Sequence, residues 1–396
     1  MPPGTRNRLP QRAPQNNIRH VLHGMAVPPL RVAAVGVGWV SQNRHLPAVW
    51  RRAEYELVGV IDVDAGRARA VAGQYNVHHA VTAKLAEVDW LASVDAIIIG
   101  APPPTHGEII EQALACKKHV LTEKPFVISV AEGEKLAAAA HRARRVLSIV
   151  HNFQFTRALA CLQRDMISGR LGEIHSVLSV HLSNSRRRLP AWVAGLPGGL
   201  FFEESPHLLY LARRLLPGVE LEQARVTAAS GGVTPREVCA QLRNRRGQAA
   251  TLLMRFEAAV SEWHVSLCAQ HGTADIDMLR DIYLFVPSEA RQEGREVLRH
   301  GVPAMSGHLW GSGALLTARS RLGYGYDEVL ARFAAAIRGG TLQPEHIGCA
   351  DALSVLRLQH EILTTSRAPS SLSLAARTLL GGPDGATLPA PPAHLH

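Results

Sequence analysis

Three groups of residues in this chain have the types and spacing to do chemistry. Gly36 and Gly38 follow a short apolar run, Val32 to Val35, and an acid, Asp62, closes the next apolar run 26 residues after Gly36. Lys124 stands directly before Pro125 at the end of another apolar segment. His207 follows Glu203 by four positions within GGLFFEESPHLLYLARRLL, residues 198 to 216.

The glycines and Asp62 suit a dinucleotide. Gly36 lets the chain turn sharply off a strand, and Gly38 has no side chain to hold a pyrophosphate away from the amides at a helix N-terminus, where the dipole favours an anion. Asp62 stands where an acid would accept hydrogen bonds from an adenosine ribose. Trp39 and Val40 complete the turn. Ser41 occupies the place of the motif's third glycine, so helix and strand are expected to pack slightly less closely. A carboxylate at 62 would repel a 2′-phosphate, which favours NAD over NADP; Arg67 and Arg69 leave NADP open.

Lys124 and His207 suit proton and charge handling beside such a cofactor. Proline pushes the residue before it toward extended backbone, so Lys124 is expected to project from the strand end, where a cation can hold a substrate oxygen and stabilise an alkoxide as hydride leaves. Ser205 can cap a helix whose first residue is Pro206, which predicts His207 in a first turn. Positive dipole charge there would favour the neutral imidazole, able to take a proton from a substrate alcohol. Glu203 could orient that ring while pulling its pKa the other way, and Glu204 could substitute for it. Tyr210, one turn on, reads as core.

The elements that must position these groups alternate. After Asp62 the pattern predicts a helix over Ala65 to Gly73, a strand over Asp95 to Ile99, and a helix over His106 to Cys116 with Ile109, Ile110, Ala113 and Leu114 on one face. A strand over His119 to Thr122 follows, then a helix to about His141 capped by Ser129 with Glu132, and a strand over Val146 to Val150. Such alternation implies an α/β domain with a doubly wound parallel sheet, whose ligand crevice lies beyond the carboxyl ends of the strands. Past Val150 short alternating segments dominate: Gln223 to Ala229, Val238 to Arg243, Ala249 to Phe256, Trp263 to Ala269, Ala274 to Met278 and Ile282 to Val286. Asn244 to Gly247 makes a hairpin turn between two of them.

The run GAPPPTHGEIIEQALACKKHVLTEKP, residues 100 to 125, resembles the signature of the Gfo/Idh/MocA family of nicotinamide oxidoreductases (glucose–fructose oxidoreductase, inositol dehydrogenase, rhizopine catabolism). In that family a Pro-x-x-x-His segment and a Glu-Lys-Pro line the cofactor crevice. The resemblance therefore implies cofactor contacts from Ala101, Pro102, Pro103, His106, Glu123, Lys124 and Pro125, with Pro103 where asparagine is usual. His207 resembles the family's catalytic histidine in a Gly-Gly…Asp-x-x-x-His pattern, with Glu203 replacing the aspartate and Ser205 a glycine. Residues 151 to 182 are similar to the family's crossing helix and first strand of the second domain, with Asn152 and Phe155 in register and Gln154 where arginine is common. Substrate contacts are implied for Lys124, Asn152, Trp192 and His207. Tyr326 to Ile337 and Cys349 to Leu363 resemble the closing helices. The likeness spans roughly residues 30 to 368 and implies a mostly antiparallel second sheet whose open face pairs subunits.

Composition removes other classes. Of 396 residues, 46% are hydrophobic and 19% charged, as in a soluble globular protein with room for two domains. The net charge of +10 is partly the work of Arg6, Arg8, Arg12 and Arg19, and the rest is scattered rather than grouped into a nucleic-acid face. Five cysteines without a CxxC pair fit reduced thiols in the cytoplasm, no apolar run approaches the ~20 residues of a membrane span, and no histidine pair has metal spacing. Arg186 to Arg188 could bind a carboxylate or phosphate, although a solvated loop is the default reading.

The expected organisation is a disordered tail over 1–29, with Met25 a candidate natural start; a Rossmann dinucleotide domain over 30–151; an α+β substrate and oligomerisation domain over 152–372; and a disordered tail over 373–396. The expected activity is hydride transfer between NAD, or NADP, and a secondary alcohol or ketone of a sugar, sugar derivative or cyclic polyol, in a homodimer or homotetramer. Alternatives are an NAD-dependent glycosidase acting by transient oxidation, and a non-catalytic nucleotide-responsive binding protein. Loops 183–198 and 305–326 are expected to choose the substrate.

Overall fold

The computed structural model describes residues 27–229, 231–288 and 323–365, with the single residues Gly301, Met305 and Leu309. Residues 1–26 of the expected N-terminal tail, the Met25 start, the whole expected C-terminal tail and most of the 305–326 loop lie outside the described residues.

Six strands form the first sheet: β1 (Leu30–Val35), β2 (Tyr55–Ile61), β3 (His79–Val81), β4 (Ala96–Ile99), β5 (His119–Thr122) and β6 (Leu147–Ile149). All pair in parallel in the order β3-β2-β1-β4-β5-β6, so the strand order reverses between β1 and β4. Helices cover both faces, which is why β4 reads as an uninterrupted apolar run with every residue buried. They are α1 (Leu46–Arg51), α2 (Ala65–Tyr75), α3 (His106–Ala115) and α4 (Val130–Ala143). Asp64 and Ser129 cap α2 and α4 by accepting from Arg67 N and Glu132 N.

After α5 (Arg157–Ile167) the chain enters a second sheet of seven strands. These are β7 (Ile174–Asn184), β8 (Glu220–Thr227), β9 (Glu237–Arg243), β10 (Ala249–Ala258), β11 (Glu262–Ala269), β12 (Gly272–Asp277) and β13 (Ile282–Pro287), in the order β13-β12-β11-β7-β10-β9-β8. All neighbours are antiparallel except β7 and β10. Period-two burial follows: Ala250, Leu252, Met254 and Phe256 of β10 face a core with Trp263 and Leu209, while Leu178 on the other face is 45% exposed.

One long helix, α6 (Leu200–Leu215), lies against this second sheet. The helix expected to begin at Pro206 thus begins six residues earlier. Gly199 holds a φ of +55° and the hydroxyl of Thr234 accepts from Leu200 N at 3.0 Å, so the cap comes from a distant loop rather than from Ser205. Pro206 then sits inside the helix, where its missing N–H would leave the Phe202 carbonyl unpaired. Gln359 supplies the bond, donating to Phe202 O at 2.7 Å.

The chain closes with α7 (Tyr326–Gly339) and α8 (Cys349–Thr365). Val329, Leu330 and Phe333 of α7 pack on Val32 and Ile98 of the first sheet, and Cys349, Ala352, Leu353 and Leu356 of α8 complete the core beneath it. Val355, Leu358 and Ile362 of α8 belong to the core of the second sheet. Both halves are therefore fastened by one helix.

Candidate active site

The turn after β1 is built as its glycines require. Gly36 has φ +75°, and a Cβ there would lie 2.5 Å from the Ala101 backbone; around Gly38 nothing lies within 4 Å of such an atom, so that side stays open. Ser41 does not loosen the turn: its hydroxyl donates to Gly36 O at 2.6 Å, and the space it fills is the one a Cβ on Gly100 would need. Asp62 ties the turn to β2 by accepting from Val37 N at 2.8 Å and from Asp64 N at 2.9 Å. Its other partner is the forked guanidinium of Arg67. Burial pushes the Asp62 carboxyl up, but these donors hold it below the usual carboxylate range.

A cavity of about 890 Å³ runs from this turn to the second sheet. Ala83, Leu85 and Ile109 line the end near Asp62, and Trp192, Glu203 and His207 the opposite one. Gly36, Gly38, Trp39, Val40, Asp62, Ala101, Pro102, Pro103, Glu123, Lys124, Asn152 and Trp192 all line it. The cradle fits a dinucleotide: an open glycine turn at a helix start, an apolar slot and an acid at the end of β2.

Two expected contacts fall elsewhere. His106 is fully buried and Pro125 does not line the cavity. One ring nitrogen of His106 lies 2.9 Å from Ala101 O and the other 2.9 Å from Pro125 O, so the ring packs between the loops after β4 and β5. Burial lowers its pKa, and a neutral ring can donate to one of the two carbonyls.

Beneath the cavity Glu123 is buried and accepts from the Tyr326 hydroxyl at 2.7 Å, with His45 Nε2 at 2.9 Å. Burial raises its pKa, but His45, the Lys124 cation and Tyr326 bring it below the ordinary value. Neither His45 nor Tyr326 carried a local sequence signal. Tyr324 and Arg44 also line the cavity, with the guanidinium 5.2 Å from the Tyr324 ring centre.

Lys124 crosses to the second half of the molecule. Its Nζ donates to Glu203 Oε1 at 2.5 Å and to Glu203 O at 3.0 Å. Glu203 therefore pairs with Lys124 and does not orient His207, correcting the sequence expectation. Glu204 does not replace it. Its carboxylate is buried against β7, bonded to Arg187 and with Oε2 3.5 Å from His181 Nδ1. Burial pushes Glu204 up to about 7, against the pull of Arg187. Burial likewise pushes His181 down to about 4.

His207 lies two turns into α6, so no helix N-terminus acts on it. Burial first, and then the Lys124 cation, pushes its pKa well below the ordinary value. Its Nδ1 is 2.9 Å from the Tyr210 hydroxyl, and the Phe153 ring meets it edge-on at 4.8 Å. Asn152 is engaged in holding the loop before α7, donating to Tyr324 O at 2.8 Å.

Comparison with known proteins agrees with this geometry. Residues 30–151 match the model of an oxidoreductase family with an NAD-binding Rossmann fold, Gfo/Idh/MocA. The uncharacterised oxidoreductase YdgJ of Escherichia coli is 30% identical over 212 residues, covering 51% of this chain and 59% of that protein. Inositol 2-dehydrogenase of Rhizobium meliloti is 26% identical over 200 residues, covering 50% and 58%. The chain thus spans less than two thirds of the length of either relative. Among solved structures, the WlbA dehydrogenase of Bordetella pertussis, in complex with NADH and UDP-GlcNAcA, superposes with a TM-score of 0.69 at 19% identity over 87% of this chain and 97% of that one, a likeness of fold. Among the described residues no helix is long and apolar enough to cross a membrane. Residues 30–151, which carry the glycine turn, Asp62 and Lys124, thus form an NAD-binding Rossmann domain of the Gfo/Idh/MocA oxidoreductase type.

Proposed function

We propose that this protein is an NAD(P)-dependent oxidoreductase that interconverts a secondary alcohol and a ketone on a sugar, a sugar derivative or a cyclic polyol. The observation that carries the reading is the Lys124–Glu203 contact, an ammonium and a carboxylate 2.5 Å apart at the end of the cavity away from Asp62. The names of the relatives support the substrate class, an inositol dehydrogenase and a dehydrogenase in complex with UDP-GlcNAcA among them.

The nicotinamide, when bound, supplies the hydride acceptor or donor. Lys124 holds the substrate's reacting oxygen and offsets its negative charge as it develops. The hydroxyl proton moves to Lys124 Nζ as Lys124 passes one of its own to Glu203, and the reverse path protonates a ketone oxygen during reduction. Apolar walls such as Phe153 and Trp192 exclude water from the exchange. Five free cysteines fit the cytoplasm, and the exposed face bearing Leu178 fits subunit pairing as a homodimer or homotetramer.

Titration with NADH and NADPH, followed by nicotinamide fluorescence, tests the cofactor. Sugars and polyols are then screened for stoichiometric NADH formation. Tight NADH binding with net NADH accumulation is expected. Turnover without accumulation would indicate a glycosidase instead, and binding of neither nucleotide would overturn the reading.

A further inference from the structure

The hydroxyl of Tyr210 is buried between two groups. The Phe153 backbone N–H donates to it across 3.1 Å, and His207 Nδ1 lies 2.9 Å away. A phenol carries one proton and a backbone N–H can only donate, so the Tyr210 proton has one acceptor within reach, His207 Nδ1. The adjacent ring does not compete: His151 stacks on Tyr210 with centroids 4.5 Å apart, and its Nδ1 has no hydrogen-bond partner among the described residues. If Nδ1 carried the imidazole proton instead, it would donate to Tyr210 and strand the phenolic proton in a buried site.

The other nitrogen, Nε2, makes no hydrogen bond among the described residues, and the ring lines the cavity beside Lys124. We propose that Tyr210 is a positioning residue that fixes His207 in its Nε2–H tautomer, so that His207 meets the substrate oxygen as a hydrogen-bond donor and not as a base. The step rests on the oxidoreductase reading for the identity of that oxygen. In alcohol oxidation the C–H hydride leaves for the nicotinamide, and the hydroxyl proton passes to Lys124 Nζ while Lys124 gives one proton to Glu203 Oε1. The new carbonyl oxygen accepts from His207 Nε2–H, and His207 neither gains nor loses a proton.

Nitrogen NMR of the protein labelled with ¹⁵N-histidine, without cofactor or substrate, reads the tautomer directly. The His207 signals are identified by their loss in His207→Gln. Wild type is expected to show a protonated Nε2 and a bare Nδ1, and Tyr210→Phe a mixture of both tautomers. A protonated Nδ1 in wild type would overturn the proposal, as would an unaltered tautomer in Tyr210→Phe. Activity gives an independent arm, because glutamine can donate from its amide but cannot take up a proton. His207→Gln is then expected to lower activity while leaving the pH profile unchanged, whereas loss of a general base would remove one limb of that profile and cost about 10²–10⁴-fold. Failure to bind either nucleotide would sink the oxidoreductase reading and leave the tautomer result standing.

Discussion

Arg67 grips Asp62 from the first turn of α2, its Nε donating to Oδ2 at 3.0 Å while a second guanidinium nitrogen reaches Oδ1. The carboxylate that would face an adenosine ribose thus holds a cation that also lines the cavity. NADH is expected to bind more tightly than NADPH, because a 2′-phosphate meets the Asp62 carboxylate. Asp62→Ala should free Arg67 for that phosphate and weaken NADH by about 10-fold or more, at about 1.4 kcal/mol per tenfold, narrowing or inverting the preference. Fluorescence titration of both nucleotides against both proteins decides it; an unchanged ratio would remove Asp62 and Arg67 from cofactor choice.

Asp62 also holds the turn together, so the same substitution carries a stability cost. Two backbone N–H groups and Arg67 lose a charged acceptor, which is expected to cost about 2–3 kcal/mol in urea unfolding at pH 7. Its folded pKa is depressed below 3.8. The contribution is therefore complete above the unfolded value and disappears as pH falls through the folded one, and Asp62→Ala should unfold with a flatter dependence on pH in that acid range.

Lys124→Ala is expected to lower turnover by about 10²–10⁴-fold while NADH binding changes little. Steady-state kinetics beside a binding titration separate the two effects. Full activity in this variant would exclude the proton path through Glu203.

Glu204 has the opposite sign to Asp62. Its folded pKa of about 7 stands above the ordinary 4.5, so between those values the folded protein holds a proton that the unfolded chain has released. Stability from this group falls as pH rises through that window, by up to about 3 kcal/mol. Glu204→Gln should remove this slope, leaving the variant relatively more stable at pH 8 than at pH 5 when each is compared with wild type. Parallel slopes for the two proteins would show that Arg187 keeps Glu204 ionised.

Pro206 and Gln359 make a pair that a double-mutant cycle can test. Gln359→Leu strands the Phe202 carbonyl and is expected to cost about 1–3 kcal/mol. Pro206→Ala restores the helix's own N–H to that carbonyl, so the loss in the Pro206→Ala background should shrink by about 1 kcal/mol or more. Additive losses would show that Gln359 acts through its bond to the Ser205 hydroxyl at 2.9 Å and its packing, not through the Phe202 carbonyl.

Much of the fold was legible because the first sheet is buried on both sides and the second on one. The sequence pattern marks β5 residue for residue at His119–Thr122, and the ladder β9 to β13 within a few residues, since apolar runs and period-two alternation are local signals. The short edge strand β3 has neither pattern and gives no local signal. The site was harder to read where a partner arrives from far away. Ser205 before Pro206 is an ordinary helix-start signal, yet Thr234 caps the helix earlier and Gln359 makes the internal proline tolerable. Glu203 and His207 share a helix face, but Lys124, 79 residues distant, takes the carboxylate. The His45–Glu123–Tyr326 cluster joins three segments with no spacing to announce it.

The place of α8 bears on how the chain is made. Its Cys349, Ala352, Leu353 and Leu356 complete the core beneath the first sheet, whose last strand ends at Ile149. On the ribosome the nucleotide half would emerge about 200 residues before that helix, a delay of roughly ten to forty seconds at about 5–20 residues per second. Through that interval one apolar flank of the sheet has no cover. Synthesis therefore passes through a stage in which the first half awaits the last helix, and the window for aggregation or for chaperone capture is set by translation speed.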